Sequence, residues 1–81
     1  MRLDKYLKVS RLIKRRTVAN EACDTGRVEV NGKIARASYD VKVGDKITVR
    51  FGERALTVEV VSVQENAGKA DAAMLYREIA E

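Results

Sequence analysis

Seven cations crowd the first sixteen residues: Arg2, Lys5, Lys8, Arg11, Lys14, Arg15 and Arg16, with Asp4 as the one anion among them. Chemistry open to such a set is the binding of anions, not the making or breaking of bonds. The densest part, Lys14-Arg15-Arg16, runs straight into Thr17-Val18-Ala19-Asn20-Glu21-Ala22-Cys23. There the apolar Val18, Ala19, Ala22 and Cys23 recur at helical spacing and predict a helix with one buried face. A helix start already carries partial positive charge and unsatisfied amide groups, so three cations there work against the helix alone. A phosphate placed against them would relieve that repulsion.

Other chemistries lack their residues. The chain has no His and a single Cys, which excludes an intramolecular disulfide and disfavours a metal cluster. There is no Gly-rich phosphate loop and no nucleophile with an adjacent base, so neither an enzyme nor a bound cofactor is expected. Cys23 falls on the apolar helix face and reads as a small core residue.

Eighty-one residues make one domain at most, with a small core and little room for an enclosed active site. Sixteen Lys and Arg against twelve Asp and Glu give a formal charge of +4, unevenly placed. Residues 1–16 carry a balance of +6, and residues 17–81, with nine cations and eleven anions, carry −2. A basic end on a nearly neutral body is the footprint of a polyanion binder, whether the polyanion is nucleic acid or an anionic membrane surface. No apolar run approaches a membrane span, and the N-terminus mixes charged with apolar residues where a secretory signal needs a continuous hydrophobic stretch. A soluble cytoplasmic protein is the expectation.

The elements that would hold the cations follow from periodicity. Leu3, Tyr6 and Leu7 predict a first helix from Arg2 to about Ser10, and Leu12-Ile13 a packed connector to the second helix. Thr25-Gly26 should end that helix. Val28 and Val30 then alternate with charged and polar residues up to Asn31-Gly32, a strong hairpin signal, and Lys33 to Arg36 returns as its partner strand. Val41 to Asp45 reads as a turn into a strand over 46–51, where Ile47, Val49 and Phe51 face one way. Gly52-Glu53 permits a second hairpin, with Leu56, Val58 and Val60 alternating beyond it. Val61 and Val63 break the phase, as a bulge or a doubly buried stretch would. Residues 65–69 read as a linker, and Ala72, Leu75, Tyr76 and Ile79 lie on one stripe of a predicted C-terminal helix. The fold class is therefore α+β: two N-terminal helices packed on a small, mostly antiparallel sheet, plus that last helix. Residues 1–64 form the domain, and 65–81 form a linker and helix packed on it.

Arg2-Leu3-Asp4-Lys5-Tyr6-Leu7, Arg15-Arg16-Thr17-Val18-Ala19, Gly26 to Gly32 and Val43-Gly44-Asp45, in this order and spacing, resemble the RNA-binding domain named after ribosomal protein S-four. The match runs from residue 2 to about 50, and the remainder is similar to the extension of small stand-alone bacterial members, the RqcP type above all. The resemblance implies the αL RNA-binding motif, with RNA on the helical face contacted by Arg2, Lys5 and Arg16, and with Lys14 and Arg15 extending the patch. It further implies a place on large-subunit rRNA beside a peptidyl-tRNA in ribosome-associated quality control; a monomer is the separate expectation for so small a chain. There it would assist C-terminal tailing of stalled chains with an RqcH-type partner, without chemistry of its own. The heat-shock S-four type, which recycles stalled large subunits, and a generic structured-RNA adaptor are the alternatives. Members often carry Ser or Thr where Arg15 stands, so capping of the second helix must come from elsewhere or from solvent.

Several residues admit a plainer role. Asp4 reads first as an intramolecular partner that orients a nearby Arg or Lys, and only second as a reader of bases. Tyr6 sits on the apolar stripe and reads as core, whereas Tyr39 lies in a polar loop where stacking on RNA or a protein is the minority reading. The Leu75/Tyr76/Ile79 face could instead serve as a protein-docking surface.

Overall fold

The structure is a computed structural model and describes residues 1–63 and 74–79. Two helices, α1 (Leu3–Val9) and α2 (Arg16–Asp24), precede five strands: β1 (Val28–Val30), β2 (Lys33–Ile34), β3 (Lys46–Phe51), β4 (Arg54–Val60) and β5 (Tyr76–Glu78). The strands form one antiparallel sheet in the order β2-β1-β3-β4-β5. The α+β expectation holds.

Alternation sorts the sheet into two faces. Val28, Val30, Ile47, Val49, Val58 and Val60 point to the side where Leu3, Tyr6, Leu7, Ala19 and Cys23 of the helices pack, and all are buried. The other face is polar: Thr48 and Thr57 pair hydroxyls at 3.0 Å, and Arg50 meets Glu29 at 2.7 Å. Glycine sets the turns between strands. At Asn31-Gly32 both residues have positive φ, +54° and +83°, as a two-residue type I′ hairpin requires, and Val30 pairs with Lys33 across it. Gly26, at φ +78°, ends α2: its amide donates to the Cys23 carbonyl and that of Arg27 to the Ala22 carbonyl, which satisfies two terminal carbonyls.

Four expectations need correction. In place of a C-terminal helix, Tyr76–Glu78 is a strand on the free edge of β4, with Val60 opposite Tyr76 and Val58 opposite Glu78. Backbone pairing with an open sheet edge outweighs a helical stripe that spans barely two turns. Leu75 is buried, and its carbonyl accepts the amides of Val61 and Ser62 and the Tyr6 hydroxyl. Ala72 and the linker at 65–69 lie outside the described residues. Strand β4 ends at Val60, so Val61 and Val63 are exposed residues beyond it, neither bulged nor doubly buried. The return strand β2 stops at Ile34, because the chain turns away to run beside α1. Val18 and Phe51 were expected inside, yet they are 49% and 47% exposed.

Candidate nucleic-acid interface

The segment after β2 closes the N-terminus of α1. The Leu3 amide donates to the Tyr39 carbonyl at 2.8 Å and the Asp4 amide to that of Ala37 at 3.2 Å. The Lys5 amide donates to Asp4 Oδ1 at 2.8 Å. Three amides that a helix start leaves open are thus satisfied by the protein itself. No side chain caps α2, where Arg15 is the N-cap, as expected from its lack of a hydroxyl or carboxylate.

Asp4 is the hub between the helices. Its carboxylate is 3% exposed and collects five donors. Oδ1 accepts from Arg2 Nε at 3.2 Å and from the Lys5 amide, while Oδ2 accepts from Arg2 Nη2 at 3.4 Å and Asn20 Nδ2 at 3.2 Å and faces Arg16 Nε at 3.4 Å. Arg16 and Asn20 are four apart on α2 and so share the face that meets α1. Burial on its own would raise the Asp4 pKa. The hydrogen bonds from Asn20, Arg2, the Lys5 amide and Arg16 together outweigh it and hold the carboxyl below its ordinary 3.8. Asp4 therefore stays ionised and fixes two guanidinium groups that remain about half exposed, Arg2 at 52% and Arg16 at 47%.

Around this hub the basic surface is open. Lys14 and Arg15 are exposed at the start of α2, and Lys8 and Arg11 at the end of α1. Arg11 adopts φ +61°, a left-handed conformation that costs a non-glycine residue about 1–2 kcal/mol. That conformation lets the Arg11 amide reach the Lys8 carbonyl and turns the chain toward α2.

The protein-family model described as the S4 domain matches residues 1–47 of this chain. These residues hold both helices, the Asp4 hub and the first hairpin. The chain belongs to the S4-domain family. A Streptococcus pneumoniae relative named RQC P-site tRNA stabilizing factor is 54% identical over 81 residues, which is 100% of this chain and 92% of that protein. A Bacillus subtilis relative of the same name is 57% identical over 76 residues, 94% of this chain and 88% of its own. Among solved structures, the Vibrio cholerae heat shock protein 15, described as trimeric, superposes with a TM-score of 0.90 at 36% identity. It covers 99% of this chain and 82% of that one.

Within this S4 domain the five residues singled out from sequence fall into two groups. Arg2 and Arg16 are joined through Asp4, whereas Lys14 and Arg15 make no ion pair among the described residues. Lys5 is half-buried on α1, with its backbone amide on Asp4. Asn20 was missed; its signal was the four-residue spacing from Arg16. Tyr6 is fully buried, and its hydroxyl donates to the Leu75 carbonyl at 2.6 Å. Burial, reinforced by Tyr76, pushes that hydroxyl well above its usual pKa of 10.0. Tyr39 is half-buried and donates to Asp45 Oδ2 at 3.0 Å, which occupies its polar end. Burial, with the charges of Asp4 and Asp24, pushes the Cys23 thiol up to about 11, so it is a core residue and not a nucleophile.

Proposed function

We propose that this chain is an RNA-binding factor of ribosome-associated quality control, seated on large-subunit rRNA beside a P-site tRNA in the cytoplasm. Arg2, Lys5, Lys14, Arg15 and Arg16 contact phosphates of structured RNA, reading shape more than sequence. The protein contributes binding and no chemistry. It steadies the tRNA while an RqcH-type partner recruits the alanyl-tRNA for C-terminal tailing. The observation that carries the reading is the Asp4 hub, which holds Arg2 and Arg16 side by side and half exposed. The relatives' name, tRNA stabilizing factor of the P site, supplies the ribosomal setting.

The heat-shock type is the second reading, favoured by the Vibrio cholerae structure and by a 38% identical Escherichia coli relative named heat shock protein 15. The higher identity to the first group places it behind. Crosslinking with sequencing from cells tests the choice. Contacts concentrated in large-subunit rRNA and tRNA are expected, and contacts scattered over messenger RNA would refute the ribosomal reading. Large-subunit contacts without tRNA would favour the heat-shock type.

A further inference from the structure

Helix α2 shows two different faces. Arg16 and Asn20 look toward Asp4, while Val18, two residues on from Arg16 and so about 200° around the helix, looks the opposite way. On that second side a groove runs between α2 and the β3–β4 hairpin, with Leu12, Val18, Ala22 and Phe51 among its lining. Phe51 stands at the hairpin tip beside Gly52 and is 47% exposed, and Val18 is 49% exposed. Among the described residues, every charged one lining the groove is cationic, Lys14, Arg27 and Arg50, and none is an acid. Arg50 is engaged by Glu29, which leaves Lys14 and Arg27 free of ion pairs among the described residues.

We propose that this groove receives one unpaired nucleobase of the bound RNA, stacked on Phe51 with its flanking phosphates on Lys14 and Arg27. The inference rests on the RNA-binding reading above and adds a second contact to it. An aromatic ring between cations is the usual platform for an unpaired base, since every base offers a π-face and its backbone carries charge. A paired helix cannot present such a base. An acidic amphipathic peptide would satisfy the same charges, yet Lys14 also belongs to the basic start of α2. A single RNA strand can therefore lie on both without leaving the surface.

The test uses the full chain and two RNA hairpins, one fully paired and one carrying a single bulged 2-aminopurine. The bulged hairpin should bind roughly tenfold tighter, within the range expected for one base–aromatic stack, with quenching of the 2-aminopurine. Phe51→Ala should abolish the preference and the quenching while leaving affinity for the paired hairpin and the melting temperature nearly unchanged. Phe51→Tyr should keep both. Equal binding of the two hairpins by the native chain, or a preference that survives Phe51→Ala, overturns the inference and leaves the RNA reading standing. Failure to bind either hairpin overturns both. A photocrosslinking residue at position 51 that traps protein and no RNA in cells overturns it in favour of a peptide partner.

Discussion

Replacing Asp4 with Asn separates two explanations of the basic surface that otherwise predict the same behaviour. The change keeps the side chain's shape and removes one negative charge, so the face becomes more positive. If affinity follows charge alone, Asp4→Asn should bind RNA more tightly. If Asp4 acts by holding Arg2 and Arg16 in place, it should bind more weakly. The geometry favours the second outcome. Five donors converge on the two carboxylate oxygens. An amide offers one oxygen, so its NH2 must face donors on whichever side it lies. At Oδ2 it would meet Arg2, Asn20 and Arg16, and at Oδ1 it would meet Arg2 and the Lys5 amide. At least two charge-assisted hydrogen bonds are lost, each worth about 1.5–3 kcal/mol before discounting. Because both arginines are about half exposed, solvent screening reduces the net cost to roughly 2–3 kcal/mol. For a domain of this size that is about 10–20 °C in melting temperature. Fluorescence anisotropy with a structured RNA, run well below the variant's transition, should show about fivefold weaker binding, the equivalent of roughly 1 kcal/mol. Affinity equal to or above that of the native chain would refute the orienting role.

Acid offers the same test without mutation. The folded-state Asp4 pKa lies below the unfolded value, so the hub's contribution is present above about pH 4 and fades as pH falls through the depressed folded value. The stability gap between the native chain and Asp4→Asn should narrow over that window in denaturant titrations, and a gap independent of pH would exclude the hub as its source. Arg16→Ala should weaken association with large ribosomal subunits several-fold while costing less than about 1 kcal/mol of stability, since its ion pair is half exposed; a large drop in melting temperature would make Arg16 structural. Tyr6→Phe removes the bond to the Leu75 carbonyl and should cost about 1 kcal/mol. Hydrogen exchange should report it as faster opening of Tyr76–Glu78, and uniform loosening would argue against a local tie. Cys23, buried and with its thiol pushed up to about 11, should resist alkylation at pH 8 until the chain unfolds, and rapid labelling of the native state would contradict its core placement.

What could be read in advance was what short-range chemistry dictates. Asn31-Gly32 and Gly26 demanded left-handed backbone, and both have it. Leu3, Tyr6 and Leu7 marked a buried face at a spacing only a helix provides, and the strands of the sheet centre followed from alternation. Legibility failed where the partner is remote. Leu75, Tyr76 and Ile79 fit a helical stripe, but the free edge of β4 decides their conformation, and nothing local announces it. The capping of α1 by the Ala37 and Tyr39 carbonyls is a backbone contact with no side-chain signature. Phe51 and Val18 had the right period for the core, yet Phe51 sits at the hairpin tip and Val18 on the groove side of α2, where both stay exposed. Of the candidate site, the cations and the orienting role of Asp4 were visible, since a lone acid among seven bases invites pairing. Asn20 was not, because an amide carries no charge to draw attention.

The central claim is that a basic face ordered by Asp4 binds structured RNA through several phosphates at once. Its most direct test is the affinity of the chain for purified large ribosomal subunits across a range of salt. With roughly four to six phosphates neutralised, the slope of log affinity on log salt should be about −3 to −5. A slope near −1 would contradict the account.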